Sequence, residues 1–86
     1  MLKVLLVDDQ QLFRDIARSM LEDADEFQVV AEAEDGADAV DVYPELRPDL
    51  VLMDVQMARM NGLEATREIL RDDPEARVVI TSMRSE

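Results

Sequence analysis

The chain has 86 residues, and its 48% hydrophobic and 35% charged residues are typical of one small folded domain. Its formal net charge of −12 argues against direct contact with nucleic acid, because phosphate contacts need Lys and Arg. The absence of cysteine and histidine excludes disulfides, thiolate or imidazole metal sites and Ser-His-Asp triads.

No apolar run in the sequence is long enough to cross a membrane. The N-terminal run Leu2–Val7 is far shorter than the roughly 20 residues that a spanning helix needs. The N-terminus also lacks the basic and long apolar regions of a signal peptide. We therefore expect the chain in the cytoplasm.

Apolar strands and amphipathic helices alternate in the first half of the chain. Leu2–Val7 predicts a strand buried on both faces, as in parallel sheets. Phe27–Ala33 predicts a second strand, and a helix is expected from about Ala37 to Leu46. Between the two strands, a single apolar stripe predicts a helix through Leu12, Phe13, Ile16, Ala17, Met20 and Leu21.

The second half continues the alternation. Leu50–Met53 predicts a third strand, and Met57–Gly62 reads as a loop. A third helix is expected from Leu63 onward, ending before Pro74, and Val78–Ile80 predicts a fourth strand. The order β-α-β-α-β-α-β predicts an α/β fold with a parallel sheet and right-handed crossovers.

Acidic or hydroxyl side chains follow three of these strands. Asp8 and Asp9 end the first, Asp54 ends the third and Thr81 follows the fourth. In open α/β sheets, functional groups gather at the carboxyl ends of the strands. If the first and third strands are neighbours, three carboxylates meet there and need a compensating cation. Ligands that are all oxygen suit a hard cation such as Mg²⁺.

A simpler explanation exists for each aspartate taken alone. Asp is common after a strand as a turn residue or as a helix N-cap, and for Asp9 the cap explains the residue equally well. Asp54 precedes a loop rather than a helix, so capping explains it less well. The combined pattern favours a site.

The segments VLLVDDQ, VLMDVQMARMNGLEA and VVITS resemble the receiver domain of bacterial two-component response regulators, and VVAEAEDGADAV is similar to receivers joined to a helix-turn-helix DNA-binding output. The resemblance covers residues 1–86 and implies a flavodoxin-like open parallel sheet of order 2-1-3-4. It implies that Asp54 is the phosphoacceptor and that Thr81 is the switch hydroxyl. It also implies a Mg²⁺ site made by Asp8, Asp9, Asp54 and the backbone carbonyl of Gln56.

The function implied by this resemblance is signalling. A sensor histidine kinase would donate the phosphoryl group, since the chain has no histidine of its own. A carboxylate can serve as the nucleophile and form an aspartyl phosphate. Such a domain catalyses only its own phosphorylation and dephosphorylation, so it is not a turnover enzyme. It would control transcription through a DNA-binding output domain beyond residue 86.

The sequence departs from the family pattern in two places. The family usually has Pro after Met57; here Ala58 predicts a more mobile loop. A family receiver has five strands and five helices, so residues 1–86 are expected to form an incomplete receiver domain, truncated after strand 4. The family's essential Lys is also missing, and Lys3 lies about 17 Å from Asp8 along the same strand, at roughly 3.3 Å per residue.

These departures lead to further expectations. The missing fifth helix would leave an apolar sheet face and the strand-4 edge exposed, which favours a homodimer. One alternative is a phosphorylation-incompetent receiver fragment that serves as a dimerisation or interaction module. Another is a Mg²⁺-dependent phosphatase with an Asp nucleophile. That class usually needs a second acid two residues after the nucleophile, where this chain has Gln10 and Gln56.

Overall fold

The computed structural model describes residues 1–57 and 59–81, so Ala58 and the predicted mobility at that position lie outside the described residues. Strands and helices alternate along the chain as predicted. The elements are β1 (Leu2–Val7), α1 (Gln11–Asp23), β2 (Phe27–Ala33), α2 (Gly36–Leu46), β3 (Leu50–Asp54), α3 (Gly62–Asp72) and β4 (Val78–Thr81).

The four strands form one parallel sheet in the order β2-β1-β3-β4, which confirms the predicted flavodoxin-like order. β1 lies in the centre and pairs with β3, so that Val7 is opposite Met53. β3 pairs in turn with β4, and Asp54 is opposite Thr81. The C-terminal ends of β1, β3 and β4 therefore meet at one edge of the sheet.

The ends of β3 and β4 differ slightly from the prediction. Each strand is one residue longer, because Asp54 and Thr81 still belong to the sheet. Both side chains are thus carried by paired backbone rather than by a loop. α2 begins at Gly36, one residue before the predicted start, and includes Pro44 near its end.

Each face of the sheet has its own apolar core. β1 contributes to both, because successive side chains alternate between the faces. α2 and α3 cover one face, over the buried residues Leu5, Val7, Ala33, Ala39, Tyr43, Val51, Met53, Ala65 and Ile69. α1 covers the other face, over Val4, Leu6 and Val29, with partly buried Ala17, Leu21, Phe27, Leu50 and Leu52 around them.

The apolar stripe predicted on α1 is split into two rows. One row, Phe13, Ala17 and Leu21, is half-buried on the side of the sheet. The other row is exposed: Leu12 by 64%, Ile16 by 40% and Met20 by 67%. Adjacent rows are about 100° apart around an α-helix, so a single sheet surface cannot bury both. The residue of α1 that is buried is Arg14.

β4 forms one edge of the sheet. Within residues 1–57 and 59–81, it pairs with β3 on one side only. Val79 and Ile80 are 46% and 37% exposed, on opposite faces of the strand. An exposed edge with apolar side chains is a surface that favours association.

Among the described residues, no helix has the length and apolar composition that crossing a membrane requires.

Candidate functional site

Three carboxylates converge at the C-terminal edge of the sheet. Asp8 and Asp9 directly follow β1, and Asp54 is the last residue of β3. The parallel pairing of Val7 with Met53 places the next residues, Asp8 and Asp54, side by side. One carboxylate oxygen from each of the three aspartates lies within 4.8 Å of the other two. The structure thus brings together the acidic residues that the sequence indicated.

The environment of this cluster suits a cation. Asp8 and Asp54 are only 5% and 2% exposed, whereas Asp9 is exposed to solvent. Like charges held this close in a poorly solvated place repel each other strongly unless a cation or a proton compensates. The donor set consists of carboxylate oxygens alone, which matches the preference of hard divalent cations such as Mg²⁺. Asp8, Asp9 and Asp54 are therefore fitted to hold such an ion.

Asp9 does not occupy the N-cap position of α1. α1 begins at Gln11, and its N-cap residue is Gln10, which makes no capping hydrogen bond through its side chain. The backbone N–H of Gln10 instead donates to Oδ1 of Asp8 at 2.9 Å. This bond shapes the turn after β1, and Asp9 is left beside the other two acids rather than on the helix end.

The two remaining predicted site residues lie at the same edge. Thr81 is half-buried and sits opposite Asp54 on the neighbouring strand. Directly paired residues of parallel strands project from the same face of a sheet, so its hydroxyl lies on the same side as the Asp54 carboxylate. Gln56 is exposed, in the loop two residues beyond Asp54. Lys3 lies near the opposite end of β1 from Asp8, as predicted.

The sequence analysis did not identify Arg14, which holds the backbone of Asp8 in the acidic cluster. Arg14 is 8% exposed and donates three hydrogen bonds through its guanidinium. Its Nη1 donates to the backbone carbonyl of Asp8, its Nε to Glu32 Oε1 at 2.7 Å, and its Nη2 to Gln11 Oε1 at 2.7 Å. Arg14 therefore ties the end of β1 to both α1 and β2.

Glu32 on β2 is the counter-ion that makes this burial possible. Arg18 donates to Glu32 Oε2 through two nitrogens, at 3.0 Å and 2.6 Å. The bonds from Arg18 and Arg14 lower the pKa of Glu32 below its ordinary value, against the effect of burial. Arg14 lies on the same helix face as Ala17 and Leu21. A charged residue on this sheet-facing side of α1 is the sequence feature that could have revealed its role.

Gly62 lies so close to the backbone of Asp54 that a side chain at position 62 would clash with it. The N–H of Gly62 donates to the carbonyl of Val55 at 2.9 Å, and a Cβ on Gly62 would lie 2.2 Å from the carbonyl oxygen of Asp54. Asn61, predicted to lie in the Met57–Gly62 loop, caps α3 by accepting from the N–H of Glu64 at 2.9 Å. The start of α3 is therefore packed directly against the end of β3.

Comparison with known proteins agrees with this architecture. The family model of the response regulator receiver domain matches residues 4–86. The chemotaxis protein CheY of Listeria monocytogenes is 46% identical over 82 residues, which are 95% of this chain and 68% of that protein. The transcriptional regulatory protein DegU of Brevibacillus brevis is 39% identical over 95% of this chain, but that alignment covers only 35% of DegU.

Solved structures give the same result. A two-component response regulator of the LuxR family from Aurantimonas sp. SI85-9A1 superimposes with a TM-score of 0.93 and 38% sequence identity. The match covers 99% of this chain and 61% of that one, so the chain spans less than two thirds of this relative. Sequence, fold and the acidic cluster agree, and the chain belongs to the response regulator receiver domain family.

Proposed function

We propose that the chain accepts a phosphoryl group on Asp54 from a sensor histidine kinase and thereby changes its interactions. One observation carries this proposal. Asp54 is a buried carboxylate at the end of β3 and belongs to one cluster with Asp8 and Asp9. Thr81 lies opposite Asp54 on the neighbouring strand. Such a site presents a nucleophile, a cation-binding group and a hydroxyl donor together.

The proposed reaction is phosphoryl transfer to a carboxylate. An oxygen of Asp54 forms a bond to phosphorus, while the bond from phosphorus to the imidazole nitrogen of a phosphohistidine breaks and its electron pair stays on that nitrogen. These 86 residues contain no histidine, so the proposed donor is a phosphohistidine outside them or a small acyl phosphate. The chain changes only its own state, so we propose a switch rather than a turnover enzyme.

The cluster is proposed as a Mg²⁺ site. Asp8, Asp9, Asp54 and the backbone carbonyl of Gln56 would hold the ion, which when bound neutralises the clustered charge and that of the incoming phosphoryl group. Arg14 keeps the Asp8 backbone fixed while its own charge is balanced by Glu32. The carboxylates can therefore converge without displacing the strand end.

Thr81 is proposed as the element that reports the phosphorylated state. A threonine hydroxyl can donate to a phosphoryl oxygen, and Thr81 is already opposite Asp54. A move of this side chain would alter the exposed end of β4. We propose that this change controls transcription through a DNA-binding output domain, since the relative DegU is a transcriptional regulatory protein. We also propose that the protein works in the cytoplasm and as a homodimer.

A second candidate function is an interaction module that is not phosphorylated. One observation favours it: the single lysine of the 86 residues is Lys3, near the end of β1 that is distant from Asp8. Arg14 does not replace a lysine at the site, because each of its three guanidinium nitrogens donates to another acceptor. In this alternative, the acidic cluster binds a cation without taking up a phosphoryl group.

One experiment separates these functions. The chain is incubated with Mg²⁺ and acetyl phosphate, and intact mass spectrometry measures the gain of one phosphoryl group. We expect uptake by the wild type and none by Asp54→Asn, which keeps the shape of the side chain but is a poor nucleophile. Mg²⁺ binding without uptake would favour the interaction module. Sustained hydrolysis of a phosphate ester would favour a phosphatase instead.

A further inference from the structure

We infer that Arg59 and Asp35 form a positioning pair that holds the described part of the β3–α3 loop, residues 55–57 and 59–61, in the conformation needed for cation binding. The inference rests on the proposed function, because the loop carries the Gln56 carbonyl. Neither Arg59 nor Asp35 is one of the proposed ligands. The pair acts instead by fixing the backbone that presents a ligand to the site.

The loop lies directly against the start of α2. The N–H of Gly36 donates to the carbonyl oxygens of both Arg59 and Met60, each at 3.1 Å. A Cβ on Gly36 would lie 2.1 Å from the Met60 oxygen, so only glycine permits this approach. The backbone of the loop is thus attached to a helix end that is anchored in the core through Ala39 and Tyr43.

A side-chain ion pair reinforces this attachment. Arg59 donates from Nε to Asp35 Oδ2 at 2.7 Å and from Nη2 to Asp38 Oδ1 at 2.9 Å. Asp35 is only 7% exposed, whereas the Arg59 side chain is 63% exposed, so solvent screens the pair from the arginine side and its role is to orient the loop. The hydrogen bond from Arg59 keeps the pKa of Asp35 below its ordinary value, although burial acts in the opposite direction.

Asp35 is itself held in place by α2. Its Oδ1 accepts from the N–H of Asp38 at 2.9 Å, which makes Asp35 the N-cap of the helix, while Oδ2 faces Arg59. The carboxylate therefore links the helix end and the loop. A planar guanidinium that pairs with a fixed carboxylate restricts orientation as well as distance.

The conformation of the loop requires such support. Met60 has a φ of 55°, in the left-handed region that is unfavourable for a residue with a side chain. Such a conformation persists only where surrounding contacts determine it. Two such contacts are present at Met60. Its carbonyl oxygen accepts a hydrogen bond from the N–H of Gly36, and the preceding residue, Arg59, forms the ion pair with Asp35. At the start of the loop, the carbonyl oxygen of Val55 accepts a hydrogen bond from the N–H of Gly62.

The sign of the effect of Arg59→Gln on Mg²⁺ affinity tests this inference. Removing a positive charge from this acidic chain would strengthen cation binding if charge alone mattered. Loss of positioning predicts the opposite, and we expect the Mg²⁺ dissociation constant to rise about tenfold, as for other groups that orient metal ligands. Isothermal titration calorimetry measures the constant, and thermal melting verifies that each variant is folded.

Four further variants extend the test. Asp35→Asn keeps a good N-cap but loses the ion pair, so it should weaken Mg²⁺ binding by a similar factor, and the double variant should add little more. Arg59→Lys should be intermediate, because an ammonium cannot reproduce the planar contact. Arg71→Gln is the matched control: it removes the same charge from an exposed arginine paired with Glu68 on α3, and should not weaken binding.

The possible failures are distinguishable. If the wild type binds Mg²⁺ and Arg59→Gln binds it equally well or more tightly, the positioning role is wrong while the proposed function stands. If the wild type neither binds Mg²⁺ nor takes up a phosphoryl group, the proposed function and the positioning role fail together. Weaker binding by Arg71→Gln to the same extent as by Arg59→Gln would also overturn the inference.

Discussion

At the scale of single residues, Gly62 provides space rather than conformational freedom. No glycine in the described part of the chain has a positive φ, so the backbone of Gly62 could be adopted by any residue. The constraint is the 2.2 Å that would separate a Cβ from the carbonyl oxygen of Asp54. Any side chain at this position would therefore displace either the end of β3 or the start of α3.

Gly62→Ala is predicted to destabilise the fold and disturb the site. Alanine normally stabilises a helix by up to about 1 kcal/mol relative to glycine, but forcing a methyl group into a packed region costs about 1–3 kcal/mol. We expect the clash to dominate, because the opposing atom belongs to the backbone. Urea denaturation measures the free energy of unfolding. Ser19→Ala, at an exposed position on α1, should change it by less than about 0.5 kcal/mol.

At the scale of elements, a small polar cluster joins α2 to α3 away from the acidic cluster. The hydroxyl of Tyr43 on α2 donates to Asp73 Oδ2 at 2.8 Å, and Arg47 Nη1 lies 3.0 Å from the same oxygen. Asp73 is the C-cap of α3, and Arg47 is the C-cap of α2. Burial, followed by the bond to Asp73, raises the pKa of Tyr43 to about 12.

Tyr43→Phe is predicted to destabilise the protein without affecting the site. The substitution keeps the apolar ring in the core but removes a hydrogen bond to a charged acceptor, so we expect a loss of about 1.5 kcal/mol at pH 7. Urea denaturation measures this loss. Phosphoryl uptake on Asp54 should be unchanged, because Tyr43 contacts the ends of α2 and α3 rather than the acidic cluster.

The stability difference between the wild type and Tyr43→Phe should depend on pH. The pKa of Tyr43 rises from 10.0 to about 12 on folding, so the fold favours the protonated hydroxyl. This contribution is fully present below pH 10 and is lost as the pH rises towards 12. The difference should therefore shrink between these values; a constant difference across this range would contradict the assignment.

At the scale of the whole molecule, the α1 face of the sheet is unevenly covered. Val79 on β4 is opposite Leu52 on β3, on the same face as α1, and is 46% exposed. α1 packs against β1 and β2 through its half-buried row and Arg14. Val79 and the edge of β4 thus form an exposed apolar strip, which is the surface through which we propose that two copies associate.

Val79→Lys is predicted to weaken self-association. A lysine on an edge strand opposes pairing, and in a symmetric dimer each copy would lose the burial of a valine. A loss of about 1.5 kcal/mol corresponds to roughly tenfold in the dimer dissociation constant. Sedimentation velocity over a range of concentrations measures it. Leu63→Lys is the control, since Leu63 is 56% exposed on α3, and a stable monomeric wild type would exclude this dimer.

The sequence alone determined the alternation of elements and the chemistry at the strand ends. Both depend on local signals: apolar runs of strand length, helical periodicity, and polar residues placed where each run stops. Because parallel strands end at a common edge, the positions of Asp8, Asp9, Asp54 and Thr81 in the chain were sufficient to predict that they gather. The structure confirmed the carboxylate cluster and the strand order 2-1-3-4.

Only the tertiary structure decided what supports that cluster. The partners in the Arg14–Glu32 and Arg59–Asp35 pairs are 18 and 24 residues apart, and no local pattern relates them. The choice of which apolar row of α1 faces the sheet also depends on the shape of the surface it meets. These features follow from close packing between distant segments, where backbone approach at Gly36 and Gly62 leaves no room for a side chain.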